Sequence, residues 1–249
     1  MCVLALAFEQ HPRWRLVAAG NRDELHARPA APLHRWAGPD LILAGQDLKS
    51  GGTWMGVSEE GRLAVVTNLR GFGPPADDAP SRGALLSDLL SGQGTYAHAS
   101  DNDLAAFNPF NLIAVLDGAL LFASNRPKVD RRSLPAGLYG LSNGPLDAPW
   151  PKTQRLKAML ADWLEAGGEP HALLDCLRDD RPAGTLAGPL SDAPEPPQTP
   201  IFVINPVYGT RCSTVVAIGH DGRGVIIERR YDAEARATGE TSLEFSWPW

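Results

Sequence analysis

The chain is poor in cysteine, with three in 249 residues: Cys2, Cys176 and Cys212. An odd count at such wide spacing supports neither a disulfide framework nor a zinc site, and there is no haem-attachment motif. Free thiols point to the reducing cytoplasm. No apolar run approaches the roughly 20 residues that a membrane-spanning helix needs. The first eight residues are apolar but carry no charged leader and run into Glu9, His11, Arg13 and Arg15, so they make a poor signal peptide. Basic excess is also missing: 23 Lys and Arg stand against 29 Asp and Glu, a net charge of −6. That argues against a nucleic-acid partner. The six histidines (His11, His26, His34, His98, His171, His220) are scattered, mostly through expected loops, so no metal is expected. No cofactor signature stands out. Hydrophobic content of 43% is enough for a sizeable core, and with no repeat and no clear linker the chain reads as a single domain over residues 1–249.

What is there begins at the second residue. The chain opens Met1-Cys2-Val3-Leu4-Ala5-Leu6-Ala7-Phe8. Cys2 is small enough for the initiator Met to be removed, which would place a thiol and a free α-amine on one residue. Such an amine titrates near ~7.7–8.0, so it can take a thiol's proton at neutral pH. Nucleophile and base are then built into a single residue. The alternative is a small apolar residue at the start of a strand.

Residues 3–8 and 14–19 form a hairpin, whose second strand leads into the polar stretch Gly20-Asn21-Arg22-Asp23-Glu24 beside Cys2. A neighbouring Arg is the kind of group that favours a thiolate; a solvated turn with an ion pair is the other reading. Residues 25–40 read as irregular loop, and 42–45 and 61–67 as strands. Paired Gly51-Gly52 before Trp54 suggests a backbone pressed against another segment, and no helix start follows to make a phosphate cradle. Asn68 ends the strand before it, and residues 71–80 are a loop long enough to cover a pocket. Ser81 reads as the N-cap of a helix ended by Gly92. Residues 111–124 form a hairpin around Asp117-Gly118. Another strand, 138–141, runs into Asn143. Pro151 opens an amphipathic helix with Leu156, Met159, Leu160, Trp163 and Leu164 on one face. A second helix near 170–178 buries Cys176, and the Pro-rich stretch 179–200 reads as extended loop. Strands at 201–205, 212–218 and 224–231 close the chain, with an alternating tail at 242–249. Strand runs at both ends with helices between them indicate an α+β fold of antiparallel sheets and packed helices.

Ala19-Gly20-Asn21-Arg22-Asp23-Glu24, with Arg28-Pro29, resembles the Asn-Arg-Asp-Glu signature of the NRDE family, which includes the Transport and Golgi organisation protein 2 homologues. Residues 51–57, 67–70, Ser81-Arg82-Gly83, Phe110-Asn111-Leu112, 139–143, Trp150-Pro151-Lys152 and 208–211 look like its later blocks. The resemblance runs from Cys2 to about Tyr231. It implies an N-terminal nucleophile hydrolase-like fold, a four-layer αββα sandwich. By analogy with choloylglycine hydrolases and penicillin V acylases, Cys2 would be the nucleophile, with its own amine as base. Arg22 and Asp23 would hold and tune it, Asn68 and Asn143 would sit near the amine and the oxyanion, and Arg211 would be the late active-site Arg. One departure matters. Here Arg22 and Asp23 are adjacent, so on an extended strand they point to opposite faces. Both reach Cys2 only if the chain turns there, which disfavours Arg22 relative to Asp23, and Glu24 could take the acid's place. Cys212 stands where the pattern has Ser and is assigned no chemistry.

Two functions from different classes follow from the resemblance. One is an amidohydrolase of non-peptide C–N amides that works through a thioester. The other is a non-catalytic carrier or trafficking protein that uses the same pocket for haem or for lipid or acyl-CoA. A degenerate hydrolase with only an interaction role is the third reading.

Overall fold

The computed structural model describes residues 2–38, 41–182 and 199–248. In chain order its elements are β1 (Cys2–Phe8), β2 (Trp14–Leu25), β3 (Ala30–Arg35), β4 (Ile42–Asp47), β5 (Met55–Ser58), β6 (Arg62–Asn68), α1 (Arg82–Ser91) and α2 (Asp101–Ala106). There follow β7 (Phe110–Leu116), β8 (Ala119–Ser124), β9 (Asp130–Ser133), β10 (Gly137–Leu141), α3 (Pro151–Ala166), α4 (Leu173–Cys176), β11 (Tyr208–Gly219), β12 (Arg223–Tyr231) and β13 (Ala237–Ser246). One antiparallel sheet runs β10-β1-β2-β11-β12-β13, the other β3-β4-β5-β6-β7-β8-β9.

Strand alternation builds the layers. Leu4, Leu6 and Phe8 of β1 and Leu16 and Ala18 of β2 pack against Met55, Val57, Leu63, Val65, Ile113 and Val115 of the second sheet. The intervening Val3, Ala5, Ala7, Val17 and Ala19 face Leu156, Leu160 and Trp163 of α3 and Leu173 and Leu174 of α4. On the far side, Ile42, Ala44, Ala64 and Val66 meet Leu85, Leu86, Leu89 and Leu90 of α1. The result is the expected four-layer αββα sandwich, with every layer defined by a period of two in strands or 3.6 in helices.

Local signals account for several elements. Asp117 (φ 50°) and Gly118 (φ 76°) make the tight turn between β7 and β8, where both central residues need positive φ. Pro151 is the first residue of α3, whose C-terminal Gly167 is left-handed (φ 68°). Gly92 closes α1 in the same way, but the Ser81 side chain makes no capping bond; its carbonyl accepts from Ala84 N and Leu85 N instead.

Other expectations are corrected. Strand β2 does not end at residue 19 but runs through the polar stretch to Leu25. The supposed loop 25–40 contains β3, where Pro32 is tolerated because the strand is an edge with a bulge between Ala31 and His34. The short elements β5, α2 and β9 escaped the sequence reading. Residues 201–205 form no strand. Cys176 is only half-buried, since α4 spans just four residues. Most of the Pro-rich stretch lies outside the described residues.

The paired glycines do mark a close approach. A Cβ on Gly52 would lie 2.2 Å from the carbonyl carbon of Gly83 at the start of α1. Because the obstacle is backbone, it cannot rotate away. Gly52→Ala is expected to destabilise the fold by about 1–3 kcal/mol, the usual cost of overpacking. Chemical denaturation checks this, and a change under 0.5 kcal/mol would contradict the packing described.

Candidate active site

The site is built where β1 begins. Antiparallel pairing sets Cys2 opposite Arg22, and Arg22 is in turn opposite Cys212 of β11. Residues directly opposite one another share a face of the sheet, so both thiols flank the Arg22 guanidinium on the side facing the second sheet. Two inter-strand steps of about 4.8 Å separate the cysteines by roughly 10 Å, beyond the ~7 Å limit for a disulfide.

Asn143, just past β10, is buried with 1% exposure. Its Oδ1 accepts from Cys2 N at 3.1 Å, and its Nδ2 donates to Asn68 O at 2.6 Å. Next to it, Ser142 Oγ donates to Cys2 O at 2.6 Å. Both backbone groups of Cys2 are therefore held by the segment after β10. A cavity of about 20 Å³ lies against Cys2, Arg22, Trp54, Thr67 and Thr214. That is room for about one water-sized group.

Arg22 is 7% exposed, so its charge needs partners. Nη2 lies 3.0 Å from Asp47 Oδ2 and 3.7 Å from Glu24 Oε2, and the guanidinium carbon sits 4.4 Å from the centre of the Trp54 ring. Arg28 binds the same Asp47 oxygen. Burial alone would raise the Asp47 carboxyl. The hydrogen bonds from Arg28 and Ser50 N, together with the charges of Arg28 and Arg22, hold it below its ordinary value. Arg82, which opens α1, is a second cation near the thiol. Burial lowers its pKa while Cys2 and Glu24 act in the opposite direction.

The structure thus reverses the expected ranking of Arg22 and Asp23. The chain does not turn at these residues, and Arg22 takes the face shared with Cys2. Asp23 takes the helix-facing side, where its Oδ1 accepts from Thr210 Oγ1 at 2.7 Å. Asp23 is paired across the sheet with Thr210 of β11, one residue beyond the Cys2–Arg22 pair. Glu24 shares the Arg22 face and pairs with Arg22. Asn68 takes part through its carbonyl; its side chain is exposed. Arg211 sits at a bulge in β11, and its Nη1 donates to the carbonyls of Leu25, His26 and Arg28 at 2.8, 3.1 and 3.0 Å. It clamps the turn after β2, and no hydrogen bond among the described residues ties it to Cys2. Asn21 is structural as well: it bonds Leu177 O, Ile201 O and Ser213 Oγ.

Sequence reasoning passed over Trp54, Thr67, Arg82, Asn111 and Ser142 as site residues, although each lies in a block quoted for the family resemblance. Glu228 gave no signal, being an acid that follows the apolar run Val225-Ile226-Ile227. It is 2% exposed, and its Oε1 accepts from Leu33 N at 2.8 Å. Burial pushes its carboxyl above the ordinary range, and burial beside Glu228 pushes the Cys212 thiol well up. No group of three or more His, Cys, Asp or Glu among the described residues could hold a metal ion.

The two antiparallel sheets and their flanking helices have the architecture of the N-terminal nucleophile hydrolase fold. A solved structure with this architecture, the C2A mutant of the conjugated bile acid hydrolase from Clostridium perfringens, superposes with a TM-score of 0.53 at 8% identity, covering 100% of this chain and 97% of that one. More specifically, residues 1–233 match the Transport and Golgi organisation 2 family, and the chain belongs to it. The human Transport and Golgi organization protein 2 homolog is 30% identical and the bovine one 32%, each over 92% of both chains.

Two outcomes are expected from this environment. Under brief alkylation of native protein at neutral pH, Cys2 is labelled first, Cys176 more slowly because burial and Asp175 raise its thiol, and Cys212 only on unfolding. Peptide mapping reads the order, and early labelling of Cys212 would contradict it. Glu228 gives a pH signature. Its folded pKa is raised, so the folded state holds a proton that the unfolded state releases above about pH 4.3. Stability falls as pH rises from there through the folded value. Glu228→Gln keeps the oxygen that accepts from Leu33 N and should flatten that slope, gaining stability at pH 7 but not at pH 4. Urea unfolding at the two pH values tests this.

Proposed function

We propose that this protein is an N-terminal-cysteine amidohydrolase that cleaves linear small-molecule amides. One observation carries the reading: the nitrogen of Cys2 is held by a buried Asn143 carboxamide at the edge of a cavity that also takes in Arg22 and Thr67. Removal of Met1 turns that nitrogen into an α-amine. One N–H then stays on Asn143 Oδ1 while the lone pair takes the proton of the Cys2 thiol. The Cys2 sulfur bonds to the amide carbon, the C–N bond breaks, and the ammonium returns its proton to the departing amine. Water then attacks the thioester, the α-amine takes its proton, and the acid leaves as the thiol reforms. The sum is amide plus water giving acid plus amine. Arg22 provides a fixed positive charge beside the sulfur. Asp23, which follows the strand partner of Cys2, suits a neighbour of the ammonium form. Asn143 Nδ2 is engaged by Asn68 O, which leaves the Thr67 hydroxyl and Arg22 Nη1, both lining the small cavity and without a partner among the described residues, as donors for the oxyanion. Three free thiols suit a reducing compartment such as the cytoplasm.

A second reading is a carrier for haem or for lipid or acyl-CoA in the same pocket, and the family's description in terms of transport supports it. The test is direct. Protein whose N-terminal peptide mass shows loss of Met1 is incubated with N-dodecanoylethanolamine and N-dodecanoylglycine, and released dodecanoate is measured. Turnover of at least one amide is expected, with Cys2→Ala lowering it by at least about a thousandfold while circular dichroism is unchanged. Turnover retained in Cys2→Ala sinks the reading. Retention of Met1 with no turnover, together with a Soret shift on adding haem at micromolar protein, would favour the carrier.

A further inference from the structure

A second cavity, of about 930 Å³, opens beyond the Cys2 site, within the usual range for small-molecule sites. Strand register connects the two. On the face of the seven-stranded sheet that looks toward Cys2, Thr67 is paired with Asn111 and Asn111 with Ser124. Thr67 lines the small cavity at Cys2, whereas Asn111 and Ser124 line the large one. The row spans two strand steps, roughly 10 Å. Thr67 Oγ1 and Asn111 Oδ1, both on residues 1% exposed, have no hydrogen-bond partner among the described residues. Buried polar atoms left without partners are costly, and two in one row between a thiol and a cavity point to a polar ligand group lying along it.

The lining of the cavity is cationic and partly apolar. Arg131 is paired with Asp101 and Arg132 with Asp130, and Arg126 is occupied by the carbonyls of Ala105, Asn125 and Phe107. Arg70 and Lys128 also line the cavity, and neither side chain has a partner among the described residues. Leu69, Phe72, Phe122 and Leu146 supply apolar wall, with Phe72 43% exposed at the lip. Arg70 is tied back to the site, because its backbone N donates to Asn143 O at 3.0 Å.

We infer that this cavity binds an amide whose scissile group lies along Thr67 and Asn111, whose apolar portion rests on Leu69, Phe122 and Leu146, and whose anionic group is met by Arg70 and Lys128. The inference rests on the amidohydrolase reading and adds the substrate class, an anionic amphiphilic amide.

The test separates the two claims by measuring binding without turnover. Cys2→Ala protein is titrated calorimetrically with N-dodecanoylglycine, which is anionic, and with N-dodecanoylethanolamine, which is neutral. The anion is expected to bind roughly tenfold tighter, the scale of a charge-assisted contact. Arg70→Gln and Lys128→Gln, each added to Cys2→Ala, should weaken the anion severalfold and leave the neutral amide within about twofold; together they should abolish the preference. Equal affinities, equal losses for both amides, or no binding of either overturns the anionic subsite. Turnover by unsubstituted protein of both amides without preference keeps the hydrolase and refutes the subsite. Preference in Cys2→Ala with no turnover of either amide by unsubstituted protein keeps the subsite and refutes the hydrolase.

Discussion

The Asn143 carboxamide joins the two sheets at the mouth of the sandwich. One end accepts from Cys2 N in the six-stranded sheet, and the other donates to Asn68 O in the seven-stranded sheet. Packed sheets lie about 10 Å apart across a core, so a single side chain that bonds the backbone of both fixes their separation where the core gives way to a site. The amide has one satisfactory orientation, because flipping it would set N–H against the Cys2 N–H and a carbonyl against the Asn68 carbonyl. Ser142 adds a hold on Cys2 O. The first residue of β1 is therefore located on both of its backbone groups, whereas strand ends ordinarily fray.

Burial of Arg22 is the second constraint, and it explains the polar stretch that looked expensive in the sequence. A guanidinium placed among apolar side chains needs charge and hydrogen bonds to replace water. Asp47 and Glu24 supply the charge, and Trp54 supplies a ring face. Asp47 in turn accepts from Arg28, from Lys49 N, and from Ser50 N and Oγ. Gly45 and Gly52 make this possible. A Cβ on Gly45 would strike the Trp54 ring at 2.5 Å, and Gly52 lets α1, which carries Arg82, press against the segment before β5. The glycines, the tryptophan and the two arginines are one packing solution.

Most of the architecture was legible because it follows from periodicity: β1, the β7–β8 hairpin, α3 and the closing β11–β12 pair all show it plainly. Elements without a strong period were not legible. Strand β3 was hidden by Pro29 and Pro32, β5 by its four-residue length, and α2 by having one buried residue, Leu104. In the site, residue types could be named but not faces. The period-two rule says that Arg22 and Asp23 diverge, yet only the register with β1 decides which of them shares a face with Cys2. The placement of Arg211 on the turn after β2 was not legible for a similar reason. A bulge at 210–212 shifts the register there, and a single extra residue re-aims a side chain in a way that composition does not reveal.

Register also places Cys2 and Cys212 as mirror positions: same face, same guanidinium between them, one strand step on either side. Under the proposed mechanism, Arg22 alone therefore cannot set the two thiols apart. The difference comes from the second neighbour and from water. Cys212 lies in the core beside Glu228, whose nearby acid opposes any negative charge on sulfur, and it is 3% exposed. Cys2 lies at the half-open end of the strand, next to Arg82 and a water-sized cavity. The same chemical group is thus given two surroundings on either side of one residue. A sequence that lists both as cysteines holds that distinction only in the residues they face: Glu228 behind one, and Thr67 and Arg82 in front of the other.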